Sequence, residues 1–201
     1  MAEIKSYLVA CHFGPTLLVT AVTFLLATSL WWEGPAFIIA FGIFLGQLLV
    51  GWTNDLYDFR DDLKHNRVKK PLVAGDLKPA ELKRAIFIVL PIAIIVNLFG
   101  PLGLKAGAIS VLGIGIGVSY NFYLKPTAFS PIPYALAFGL LPAALVISTD
   151  RTPPLWMFWT GALLGMAAHF ANVLKDFRED KESGIESLPV RLGRIPSRLI
   201  T

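Results

Sequence analysis

The chain has 201 residues, 55% of them hydrophobic and only 16% charged, with a net charge of +4. That balance excludes an ordinary soluble domain and describes an all-α, polytopic membrane bundle forming one domain, 1–201. The single cysteine, Cys11, excludes an intramolecular disulfide and a cysteine metal cluster.

Six apolar runs are long enough to be read as spans: 7–30, 35–54, 84–100, 102–119, 132–148 and 155–173. Only Lys5 precedes the first as a basic residue, and the run exceeds a signal-peptide core, so it reads as a retained helix. The second ends in an acidic motif and leads into a polar connection, 55–83, rich in Lys and Arg with turn signals at Pro71, Gly75 and Pro79. The third and fourth are divided only by the turn at Gly100 and Pro101. The sixth ends in a second acidic motif, and a polar segment follows from Asp176 onward. Gly113, Gly115 and Gly117 in the fourth run and Gly161 and Gly165 in the sixth read as small residues that let helices pack closely.

With six spans, all but Lys105 and Arg151 of the 18 basic residues fall on the side of the N-terminus. The asymmetry places the N-terminus and both acidic motifs in the cytoplasm. The positive charge therefore reflects topology, and no aromatic-interleaved basic stripe suited to nucleic acid is present in the sequence.

The motif Asn54 to Asp62, NDLYDFRDD, returns 118 positions later as Asn172 to Asp180, NVLKDFRED, with six identities. At helical spacing Asn54, Asp58 and Asp62 fall at i, i+4 and i+8, as do Asn172, Asp176 and Asp180, so each copy forms an acidic stripe. The repeat suggests pseudo-symmetry that turns both stripes into one cavity. Carboxylates at a membrane boundary are costly, so a cation is the expected partner. Asp55, Asp58, Asp62, Asp176 and Asp180 offer only oxygen, with no His or Cys at metal spacing, which favours a hard ion such as Mg2+ bridging to substrate phosphates. A diphosphate is the expected ligand. Arg67, Lys69, Lys70, Lys125, Lys175 and Arg178 stand ready to complete its neutralisation.

A diphosphate at the mouth of a membrane cavity suggests a lipid tail within the bundle, and ionising an allylic diphosphate generates a carbocation. Trp52, Tyr57, Phe59, Tyr120, Phe122, Tyr123 and Phe170 cluster at the same helix ends, where they shelter such a cation or form an interfacial belt.

These features together resemble the UbiA-type intramembrane prenyltransferases. The first signature, NDxxDxxxD, is matched by Asn54, Asp55, Asp58 and Asp62, and the second by Asn172, Lys175, Asp176, Asp180 and Gly184. The loops NRVKKPLVAG, Asn66 to Gly75, and ESLPVRLG, Glu186 to Gly193, are also similar to family stretches. Many members have Arg where this chain has Lys70, which keeps the charge without the bidentate fork. Tyr120, Asn121 and Lys125 are the nearest equivalents of a family Tyr and Lys after span four.

The resemblance implies transfer of a prenyl group from a polyprenyl diphosphate to an aromatic or other lipophilic acceptor. Asp55, Asp58 and Asp62 would bind one Mg2+ and Asp176 and Asp180 another, with Asp58, Asp62 and Asp176 as catalytic candidates. Arg67, Lys70, Lys125, Lys175, Asn54, Asn172 and Tyr120 would bind the diphosphate. The family resembles nine-helix bundles, so six spans suggest a fragment, or a minimal form that closes its cavity as a homo-oligomer. An inactive scaffold and a cation transporter are the alternatives, the second disfavoured by apolar span centres. His169 reads as a packed or interfacial imidazole, and His12 and His65 show no partner pattern. Asp61, Asp76, Glu179, Glu182 and Glu186 read as solvated loop charges.

Overall fold

Pro15 breaks the first apolar run. It lacks the N–H that would bond the carbonyl of Cys11 one turn earlier, and its ring crowds that carbonyl. In the computed structural model, which describes residues 2–201, the run is split into α1 (Ala2–Ala10) and α2 (Phe13–Thr28), bent by 78°. His12 turns the corner in the left-handed region, φ 55°. The Thr16 hydroxyl donates to the stranded Cys11 carbonyl at 2.8 Å. Gly51 of the next helix passes so close that a Cβ there would lie 2.4 Å from the same oxygen. The expected single helix over 7–30 is thus corrected to a bent pair.

The remaining elements are α3 (Glu33–Lys64), α4 (Pro71–Ala74), α5 (Pro79–Phe99), α6 (Gly103–Ser119), α7 (Pro131–Ile147), α8 (Leu155–Glu182), α9 (Leu188–Leu192) and α10 (Arg194–Arg198). Prolines open α4, α5, α7 and α9 where a missing N–H costs nothing. A π-helical turn, Tyr120–Leu124, continues α6. Among the described residues four helices are long and apolar enough to cross a bilayer, five if the bent pair counts as one. The expected fifth span, 132–148, is α7, whose 17 residues lie at the short end of what spans.

α3 packs on α2, α5 and α6, and α7 lies between α6 and α8. At the end away from the acidic motifs, Ala27, Ala36, Ile39, Leu102, Ala106 and Leu145 draw α2, α3, α6 and α7 into one core cluster. The Trp31 indole seals that end by donating to Ser148 Oγ at 3.0 Å. At the motif end a second cluster joins α1, α3 and α5, with the Trp52 indole donating to the Tyr7 carbonyl at 2.9 Å. Large apolar side chains such as Leu18, Phe87, Leu112 and Leu164 point outward, as lipid contact requires.

Inside the bundle Asn97 is buried and fully used: its amide donates to the Gly42 and Ala93 carbonyls, and Ser110 Oγ donates to its Oδ1 at 2.7 Å. Helices α7 and α8 meet backbone to backbone. A Cβ on Gly161 would lie 2.3 Å from the Phe138 carbonyl oxygen and one on Gly165 2.4 Å from that of Tyr134. Gly115, by contrast, faces open space. Gly161→Val should therefore destabilise the detergent-solubilised protein by about 2 to 3 kcal/mol, through overpacking against a backbone that cannot yield. Gly115→Ala should leave the melting temperature unchanged, and equal melting of the two variants would remove this account of the α7–α8 seam.

Candidate active site

At 1.5 Å per residue the 32 residues of α3 reach about 48 Å and the 28 of α8 about 42 Å, against a hydrocarbon core of about 30 Å. Each helix therefore carries its acidic motif beyond its apolar section. Residues advance about 100° around a helix axis, so Asp62 lies about 80° from Asn54 but only about 20° from Asp55. The structure follows that arithmetic and divides the expected first stripe into two pairs.

Asp55 and Asp62 form the first pair, each 1% exposed. The polar connection folds back over them through a positive φ at Asn66, and α4 ends on Gly75 at φ 81°. This return brings Lys70 Nζ to 2.5 Å from Asp55 Oδ1 and 3.6 Å from Asp62 Oδ2, and Arg67 Nη1 to 2.7 Å from Asp62 Oδ1. Burial pulls the Lys70 ammonium down, but the carboxylates of Asp55 and Asp62 outweigh it, and its pKa is raised. Lys69 is exposed and lines an outer groove with Lys5 and Lys78.

Asn54 and Asp58 form the second pair. Lys125 reaches them from beyond the π turn, with Nζ 2.5 Å from Asp58 Oδ2 and 3.4 Å from Asn54 Oδ1. The Asn54 amide donates to Asp58 Oδ2 at 3.2 Å. Asn121 pins the π turn to α3 by donating to the Val50 carbonyl at 2.9 Å and to Thr53 Oγ1 at 3.0 Å. Helical widening at this point buries Tyr120, whose ring meets Tyr134 and His169 edge-on at 5.2 and 5.7 Å.

The second motif is more open. Lys175 and Asp176 are exposed, Asn172 bonds the Tyr134 side chain, and Asp180 is half-buried within electrostatic reach of Lys125, Asp58 and Arg67. Arg67 crosses to this side, donating through Nη2 to Ser183 Oγ at 2.8 Å and to the Glu179 carbonyl at 3.3 Å. The two motifs thus share one mouth.

Several residues stand elsewhere than the sequence suggested. Trp52 belongs to the core cluster, not to the mouth, and Tyr123 is 74% exposed. Asp61 is no free loop charge: it accepts from Ser183 Oγ at 2.8 Å. His12 was without a visible partner, yet the bend at Pro15 places its Nε2 3.7 Å from Asp55 Oδ1 and 3.5 Å from Asn54 Nδ2. The Pro15 signal was present in the chain. His169 is wholly buried, with Nε2 3.0 Å from Ser130 Oγ.

The donor chemistry fits a hard divalent cation. The five candidate carboxylates offer oxygen alone, and Asp55 Oδ2 is buried without a hydrogen-bond partner. The Lys70 and Lys125 ammonium groups sit at Asp55 and Asp58 as cationic stand-ins. Among the described residues no three acidic or imidazole groups surround a common point, so the carboxylates meet cations in separate small sets.

Comparison with curated proteins and with solved structures returns no match. The model of the UbiA prenyltransferase family matches residues 16–201, a stretch that contains both acidic motifs and every cation paired with them, and the chain belongs to that family.

Proposed function

We propose that the protein transfers a prenyl group from a polyprenyl diphosphate to an aromatic or other lipophilic acceptor within the membrane, in an Mg2+-dependent reaction. The observation that carries the reading is the meeting of two acidic motifs at one mouth, with Lys70 and Lys125 on carboxylates of the first and Arg67 reaching across to the second, in a chain of a prenyltransferase family. The N-terminus and the mouth face the cytoplasm, in keeping with the distribution of basic residues. One Mg2+ would be held by carboxylates drawn from Asp55, Asp58 and Asp62 and another by Asp176 and Asp180, and the bound ions would supply positive charge to the leaving diphosphate.

The chain's own residues supply the rest. Lys70, Lys125 and Lys175 grip the diphosphate as flexible point charges, with Asn54 and Asn172 orienting it. Buried Tyr120 and Phe170 line the inner end, where aromatic faces favour a developing allylic cation. The proton left after attack by the acceptor would pass to a base, for which Asp58 and Asp62 are the candidates.

The test is diphosphate release from allylic prenyl diphosphates by the purified protein in detergent. Release with Mg2+ and none with EDTA is the expected result. Equal release in both conditions would sink the metal-dependent reading.

A further inference from the structure

The guanidinium of Arg67 is already engaged: both Nη atoms donate hydrogen bonds and Nε faces a carboxylate at ion-pair distance. Nη1 donates to Asp62 Oδ1 at 2.7 Å, Nη2 donates to Ser183 Oγ and the Glu179 carbonyl at 2.8 and 3.3 Å, and Nε lies 3.6 Å from Glu179 Oε2. Ser183 Oγ passes its own hydrogen to Asp61 Oδ2 at 2.8 Å, closing a loop between the end of α3 and the end of α8. A guanidinium presents its five donors in a rigid plane, so turning it toward a new anion means breaking these contacts together. Lys70 and Lys125 differ, because an ammonium on a flexible stem can keep its carboxylate and still aim a donor elsewhere.

The two helix ends need such a link. Packing ties α8 to α7, α9 and α10, and α3 to α2, α5 and α6. Resting on the site reading above, we infer that Arg67 is a positioning residue: with Ser183 and Asp61 it clasps the end of α3 to the end of α8. The clasp sets the separation of the two acidic motifs, and the lysines alone grip the diphosphate.

Two measurements test it. In a Cys11→Ala background, spin labels on Lys64→Cys and Glu182→Cys report the distance between the helix ends in ligand-free protein. The clasp predicts a narrow distribution that broadens in both Arg67→Ala and Ser183→Ala. An unchanged distribution in either variant overturns it.

The second is affinity for inorganic diphosphate with Mg2+. Arg67→Ala and the Asp61→Ala, Ser183→Ala pair should each weaken binding about tenfold, the scale of one charge-assisted contact, with the triple variant no weaker than either. Arg67→Lys should fail to restore it, because a point charge cannot bridge both helices. A larger loss in Arg67→Ala that adds to the pair's loss, or rescue by Arg67→Lys, would make Arg67 a diphosphate ligand and end the proposal. Wild-type protein that binds no diphosphate would instead defeat the proposed function, while the distance measurement still decides the clasp.

Discussion

Asp176→Asn should abolish Mg2+-dependent diphosphate release while leaving the helical content and melting temperature of the protein at wild-type values. Asp176 is exposed on the last turns of α8, beyond the apolar section, and it belongs to neither core cluster. Its replacement by an isosteric amide therefore removes one negative charge and nothing from the packing. Placed charge at a leaving group contributes several kcal/mol to the transition state. A loss of about 4 kcal/mol corresponds to roughly a thousandfold in rate. Asp58→Asn should show the same loss of turnover, with Lys125 left short of a partner at 2.5 Å. Turnover within about threefold of wild type in either variant would remove the carboxylate roles proposed for both motifs.

Lys70→Ala acts first on stability. It leaves Asp55 and Asp62, each 1% exposed, without their shared ammonium. Breaking a buried pair costs about 3 to 5 kcal/mol. With Lys70 itself a quarter exposed, about 2 to 3 kcal/mol is expected in EDTA. Mg2+ should then raise the melting temperature of the variant more than that of the wild type, because the cation fills a place that Lys70 otherwise occupies. Melting of Lys70→Ala at the wild-type temperature in EDTA would contradict this. The pH dependence has a definite sign. The folded-state pKa of Lys70 is raised above its ordinary 10.5, so its contribution is complete below that value and is lost only as pH climbs through the higher folded one. Across the neutral range the difference between wild type and Lys70→Ala should be flat.

The apolar runs and the duplicated motif were legible because both depend on local composition and helical period. Helices α3 and α8 run through their motifs as the spacing implied, and Gly161 and Gly165 do seat α8 on α7. What the sequence concealed depends on chain reversal. Nothing local to the residues 66–75 indicates that they fold back to bring Lys70 onto Asp55, or that Ser183, beyond the second motif, meets Asp61. A stricter use of helix geometry would have found more. Trp52 lies about 200° from Asn54 around α3, which turns it from the mouth toward Tyr7. The same rotation separates Asp62 from Asn54 and joins it to Asp55.

Pro15 has a second effect, on the length of the helix that follows it. By ending α1 early it leaves α2 with 16 residues, about 24 Å, and α2 packs against α7, whose 17 residues reach about 26 Å. Two short walls thus stand together, and the first of them also packs along the long α3. Lipids beside them experience hydrophobic mismatch, with each ångström of excess thickness adding a fraction of a kcal/mol. Thinning of the bilayer along this edge would relieve the mismatch, giving the protein a one-sided preference for membrane thickness that originates in a single missing backbone N–H.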